Sequence, residues 1–428
     1  MTGYLIILLC VLGIIIEYQM QKKFGVLSLF CVLWTFIIVL AEMRLFGMVE
    51  VSEKIYFELL LGTGSFIIFF LCGRFGKDNN LNRKIRLRKV NDSAFVFNLP
   101  AIYAIEIVTL IGWAYVAIQC AAALATGLSL EQFHNIYLNR GAYSIFGSGL
   151  FELFIKRICV ASVLMLTPLT IVMVFERKKE YWIAILLAFV CILLNQLSTG
   201  GRIALIYMFA DILIALSIYK VSVPPKWKKR MLRIGILLII GVLLITVLRK
   251  RILQNGKWEL LYENIYIYFS LCIPLSDYWI KWIDANHYLT LGVGTFSGMI
   301  NLVNILYTRL MGTNLAAATT VVNVFTPIET QYITVFKEAS CNAYVTWIFH
   351  LYADFREIGV VVGSALYGYC CGRTTKNAYR KGNAYRIAFL LLVVQSIVKT
   401  FVRWEFSVEA YLLAFAFLRV CFKRGRER

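Results

Sequence analysis

The chain has 428 residues, 60% of them hydrophobic and 16% charged, with a mean hydropathy of +0.73. Soluble domains carry about 25% charged and 45–50% apolar residues, so an ordinary soluble globular protein is excluded, and so is a disordered chain, which is poor in apolar residues. The net charge of +20, from 44 Lys+Arg against 24 Asp+Glu, does not mark a nucleic-acid binder. The basic residues sit in short clusters between apolar runs, where they set topology and meet anionic lipid headgroups.

A helix crosses the hydrocarbon core in about 17–25 apolar residues. Taken in chain order, such runs fall at 3–18, 24–40, 55–72, 101–124, 158–175, 181–197, 203–219, 231–248, 354–372, 384–402 and 406–422, the first being a turn short. They predict an all-α, polytopic membrane protein of eleven transmembrane helices, with 1–428 forming a single membrane domain. The run 3–18 has no basic stretch before it and no clear cleavage site after it, so a retained span is expected rather than a signal peptide. The stretch 258–311 is also apolar and aromatic. It predicts either further spans (twelve or thirteen in all), a re-entrant pair, or helices lying on the membrane surface.

Lysine and arginine set the orientation. The basic loops 73–100, 176–180, 220–233 and 373–386 and the tail from Lys423 all become cytoplasmic in one arrangement, with the N-terminus outside. The external loops are then 41–54, 125–157, 198–202, 249–353 and 403–405. Transporters place their sites near the bilayer midplane. The long segments 125–157 and 249–353 instead point to a site at the outer face.

Several cations break this rule by facing outward: Arg140, Arg202, the cluster Arg249-Lys250-Arg251, and Arg403. Arg202 follows Ser198-Thr199-Gly200-Gly201 and opens a helix. A helix N-terminus already carries unpaired N–H groups and the positive end of the dipole. An added guanidinium there either meets an anion or snorkels to the headgroups. Gln395, Lys399 and Arg403, spaced i, i+4, i+8, form a stripe along a span toward its outer end, again as an anion ladder or as snorkelling cations. Arg249 and Arg251 follow a helix C-terminus, where they complement the dipole or gather anionic substrate. Asp211 and Glu106, within spans, are expected to be structural; Asp211 lies about half a turn off the Arg202 face.

For proton transfer, the candidates are His350 and Asp354, i and i+4 within NAYVTWIFHLYADFREIG (342–359). The alternatives are a packed interface histidine and a helix N-cap. The eleven cysteines mostly lie in apolar runs and include no CxxC pair, and there are only three histidines. A zinc site or disulfide framework is not expected. With no phosphate loop, HExxH or acidic metal motif, neither a cofactor nor a metal is expected.

Three segments carry a likeness to a known family: Leu138-Asn139-Arg140-Gly141 with Tyr143, Ser198 through Arg202, and 342–359 followed by Ser364 and Gly368. They resemble the oligosaccharide repeat-unit polymerases of bacteria, the Wzy-type O-antigen and capsule polymerases. In the third segment this chain has Arg356 where the family pattern has a glycine after Asp-Phe. The resemblance implies a glycosyltransferase of the bacterial plasma membrane, acting on undecaprenyl-pyrophosphate-linked oligosaccharide. It implies Arg140 and Arg202 on the pyrophosphate and Asp354 as base or positioning group. A flippase and a chain-length regulator would be partners in the same pathway. An O-antigen ligase-type enzyme and a lipid-linked oligosaccharide transporter are the competing readings.

Overall fold

A computed structural model describes residues 2–75, 95–138, 145–219, 224–249, 259–337 and 339–424. It is all-α apart from two short two-stranded ribbons. Each of the eleven apolar runs overlaps a helix, but the last two, 384–402 and 406–422, outrun helices of 16 and 12 residues. Among the described residues six stretches are long and apolar enough to cross a membrane: Thr2–Gln21, Val26–Met43, Glu53–Phe75, Leu99–Ala125, Gly149–Glu176 and Lys179–Thr199. Ile203–Ile218 is apolar but shorter. The chain is a multi-pass membrane protein by this criterion. It divides into two compact units interleaved along the sequence, 1–84 with 262–377 and 396–409, and 85–261 with 378–395 and 410–428.

In the first unit, α1 (Thr2–Gln21) buries Ile6, Cys10, Gly13 and Glu17 along one helical face. It exposes Leu5, Leu8, Leu12 and Ile15, as a helix does with lipid on its other side. Glu17 has a specific task. Its carboxylate accepts from the Ser28 N–H and Oγ (both 2.7 Å), satisfying the N-terminus of α2 (Val26–Met43). Helix α3 (Glu53–Phe75) packs on a later long helix through glycines. A Cβ at Gly368 would strike the Phe66 carbonyl, one at Gly372 the Phe70 carbonyl, and one at Gly73 the Tyr369 carbonyl. Small residues at four-residue spacing allow such backbone approach, the usual means of helix association in lipid. Ser364 and Gly368, noted in the sequence, belong to this seam; Ser364 Oγ also accepts from Trp347 Nε1 at 3.1 Å.

The second unit holds α4 (Leu99–Ala125), α5 (Leu130–Tyr137), α6 (Gly149–Leu153), α7 (Val160–Glu176), α8 (Trp182–Thr199), α9 (Ile203–Ile218) and α10 (Pro225–Arg249). Nearly every residue of α7 is buried, as expected for a helix apolar all round. A capping box between Ser129 and Gln132 starts α5. The ribbon Phe95–Phe97 pairs antiparallel with Phe422–Arg424.

Within 258–311 the chain forms α11 (Glu259–Ser270), α12 (Cys272–Ala285) and α13 (Ser297–Met311), of 12, 14 and 15 residues. Each is shorter than the ~20 residues a perpendicular span requires. Then come α14 (Ala316–Thr330), α15 (Ile348–Lys381), α16 (Ala384–Lys399) and α17 (Glu409–Val420).

Candidate functional site

Helix α15 is not continuous. Phe355 (φ −147°, ψ 28°) and Arg356 (φ 54°, ψ −142°) break it, about two turns after its start. Arg356 therefore adopts the positive φ that glycine favours. The tight turn is present with an arginine, not a glycine, at its positive-φ position. The guanidinium compensates: it donates to Asp284 Oδ1 at 2.7 Å and lies 5.2 Å over the Tyr352 ring. Lys54 Nζ meets the other Asp284 oxygen at 2.6 Å, and Tyr352 Oη donates to Asp284 Oδ1 at 2.8 Å. Sequence reasoning missed this charged cluster. Lys54 and Asp284 lie far along the chain from Tyr352 and Arg356, and the one local signal was an arginine where a turn calls for glycine.

Asp354 immediately precedes the break and does not cap the helix start. Its carboxylate is buried and accepts four hydrogen bonds. Thr290 Oγ1 (2.5 Å) and Gly294 N (2.8 Å) bind one oxygen; Thr295 N (2.7 Å) and Thr295 Oγ1 (2.5 Å) bind the other. Four donors fill the lone-pair capacity of a carboxylate. Of the two roles read from the sequence, base or positioning group, this geometry favours positioning: Asp354 pins the turn 290–295. Gly294 is required in that turn, because a Cβ there would press on Phe325, the His350 carbonyl and Asp354 itself.

The same region gathers the cations at the end of α16. Backbone bonds from Val345 N to the Val402 carbonyl (2.9 Å) and from Trp347 N to the Thr400 carbonyl (2.8 Å) fix the segment before α15 against that end. Helix α14 then presents Phe325 and Glu329, one turn apart. Phe325 stacks on His350 with centroids 5.0 Å apart and planes 6° from parallel. Glu329 pairs with Arg403 at 2.5 Å. Lys399 sits beside Glu405 and Arg403 and forms no direct ion pair among the described residues. Trp404 Nε1 donates to the Thr295 carbonyl at 3.0 Å, tying this end to the turn that Asp354 holds.

Electrostatics follow from burial. Desolvation, helped by the Arg403 charge, holds the His350 imidazole well below its ordinary 6.5, at about 3. His350 is therefore neutral, and its Nδ1 has no hydrogen-bond partner among the described residues. Burial pushes the Glu405 carboxyl above its usual range, against the pull of Lys399 and Arg403.

The stripe Gln395–Lys399–Arg403 does not persist as one ladder. α16 ends at Lys399, and Arg403 is reached through a closing turn, its N–H bonded to the Lys399 carbonyl at 3.0 Å. Gln395 belongs to the second unit, where its Nε2 donates to the Leu164 carbonyl at 3.1 Å and its side chain lies beside Asp211.

Also in the second unit, Gly200 (φ 63°) closes α8 and Arg202 caps α9. The helix opening is partly satisfied from within: Gln196 Oε1 accepts from Ala204 N at 3.3 Å, and Thr199 Oγ1 from Gly201 N at 3.3 Å. Arg202 NH1 donates to Thr246 Oγ1 on α10 at 2.8 Å, and His134 Nδ1 lies 2.6 Å from the Thr199 carbonyl. Arg140 and Arg251 lie outside the described residues, as does the side chain of Arg249. The chain matches no family model, and no curated protein or solved structure is significantly similar to it.

Proposed function

We propose that this protein is a multi-pass glycosyltransferase of the bacterial plasma membrane that polymerises undecaprenyl-pyrophosphate-linked oligosaccharide repeat units into a surface polysaccharide. The observation that carries the proposal is the pairing of Lys399 and Arg403 at the end of an apolar helix, beside a neutral buried histidine. Both cations are half-buried, and cations drawn into a membrane protein are costly and mark sites for anions. Arg403 already holds one oxyanion, the Glu329 carboxylate. A diphosphate would exchange with it.

In the reaction, the bond from the donor sugar's anomeric carbon to pyrophosphate breaks, and a bond from that carbon to an acceptor hydroxyl oxygen forms. The undecaprenyl pyrophosphate leaves as an anion that guanidinium and ammonium groups stabilise. The hydroxyl proton passes to a base. His350 Nδ1 has no hydrogen-bond partner among the described residues, and a neighbouring diphosphate would raise its basicity from the low value that burial imposes. By the resemblance, Arg140 and Arg202 are a candidate pyrophosphate-binding pair in their own right, and Arg249 and Arg251, at a helix C-terminus, would gather anionic substrate. The full complement of eleven spans, and pathway partners such as a flippase and a chain-length regulator, belong to the same proposal.

A second reading, a lipid-linked oligosaccharide transporter, draws on one observation. Glu106, within a candidate span, is fully buried and its carboxylate has no hydrogen-bond partner among the described residues. Such groups serve proton-coupled transport. One experiment separates the readings: the purified full chain in lipid nanodiscs is given lipid-linked repeat units and the products are resolved on a gel. A ladder of lengths is expected. A single addition to a different acceptor would indicate a ligase, and the absence of any new glycosidic bond would leave transport.

A further inference from the structure

Residues 289–311 expose a continuous series of large apolar side chains. Leu289, Leu291 and Phe296 lead into α13, where Met299, Val303, Leu306 and Leu310 are each between 50% and 83% exposed. At about 100° per residue these four α13 positions fall within roughly 60° of one another, forming a narrow stripe. Asn301, Asn304 and Thr308 lie on the opposite side. Two of these are engaged: Asn304 Nδ2 and Thr308 Oγ1 both donate to Asn314 Oδ1, at 3.1 and 3.0 Å.

After its first turn α13 has no fully buried residue. Ser297 and Gly298 are its buried residues, Gly298 lying so close to the Phe406 carbonyl that a Cβ would clash. Water does not suit this face: between Asp284 and Glu329 the sequence carries one formal charge, Arg309. A soluble helix would put charged residues where α13 puts Met, Val and Leu. Nor does α13 suit a span, since 15 residues extend about 22 Å against a hydrocarbon core of about 30 Å. A narrow apolar stripe opposite a polar face, on a helix too short to span, suits a helix lying in the membrane interface.

We propose that residues 289–311 form a platform inserted among the acyl chains of the surrounding phospholipid, with α13 lying along the interface and Arg309 at headgroup level. The base of the platform is held by Asp354, through its bonds to Thr290, Gly294 and Thr295. Asp354 is thus a positioning residue for a lipid-facing element. The inference concerns the chain's seat in the bilayer and holds whichever reaction the protein performs.

The test uses the full chain with Cys72, Cys341 and Cys370, the cysteines that are not buried, replaced by serine. Nitroxide labels are placed singly at Met299→Cys, Leu306→Cys, Leu310→Cys and, on the polar side, Asn301→Cys, in phospholipid nanodiscs. Collision rates with oxygen, which partitions into lipid, are compared with those of a water-soluble nickel chelate. The oxygen-to-nickel ratio is expected to be roughly tenfold higher at 306 and 310 than at 301. Equal ratios at 306 and 301, both faces in water or both in acyl chains, would overturn the proposal. Exclusion of both probes at 306, with dipolar broadening between labels, would place a second copy of the chain there and overturn it equally.

Discussion

At the scale of single residues, Asp354 shows how environment decides between two chemical roles. A carboxylate that accepts four hydrogen bonds holds a turn. Asp354→Asn puts an amide N–H₂ against N–H and O–H donors, and leaving buried donors unpaired costs about 1–3 kcal/mol each. The midpoint of thermal unfolding should therefore fall, with activity falling in parallel; an unchanged midpoint with lost activity would make Asp354 the base. His350 makes an independent prediction. It is neutral in the fold with a pKa of about 3, while the unfolded chain takes up its proton near 6.5. Between those values the unfolded state binds more protons, so stability from this group rises with pH across the window and is lost on acidification. His350→Phe should flatten the pH dependence of unfolding between pH 3 and 6.5. Arg202 tests the anion reading. Arg202→Ala removes the bond to Thr246 and the cation at the mouth of α9, and is expected to abolish polymer while leaving normal amounts of protein in the membrane. Polymer of ordinary length in that variant would show that the guanidinium only meets headgroups.

At the scale of elements, the break in α15 is the informative feature. A residue held at a sparsely populated φ/ψ costs on the order of 1–3 kcal/mol, and a half-exposed ion pair such as Arg356–Asp284 returns about 0–1 kcal/mol. Arg356→Gly removes the strain and the pair together, whereas Arg356→Ala keeps the strain and loses the pair. The glycine variant is expected to be the more stable of the two by about 1–2 kcal/mol, measured by denaturation in the same detergent. The break was not anticipated: the apolar run 354–372 reads as one continuous span. Nor could it be foreseen that an arginine would take the glycine conformation, since the compensating Asp284 sits on α12, 72 positions away. The Gln395–Lys399–Arg403 spacing was legible, but the end of α16 at Lys399 was not. It depends on Thr400 and Val402 turning their carbonyls to Trp347 and Val345.

At the scale of the whole molecule, composition and the alternation of basic loops with apolar runs led to the helical, membrane-spanning class. The orientation that follows from those loops is itself testable. A cysteine placed at Arg140 should react with a membrane-impermeant maleimide added from outside intact cells, and protection at that position would invert the topology. Residue order alone determined where the helices run, because in hydrocarbon each backbone N–H must find its partner within its own segment. Tertiary structure decided which polar groups meet. The turn 290–295 comes to Asp354, Phe325 and Glu329 come to His350 and Arg403, and Asp284 serves three partners at once. Those choices are made by side chains far apart in sequence, whose spacing along the chain carries no period to announce them.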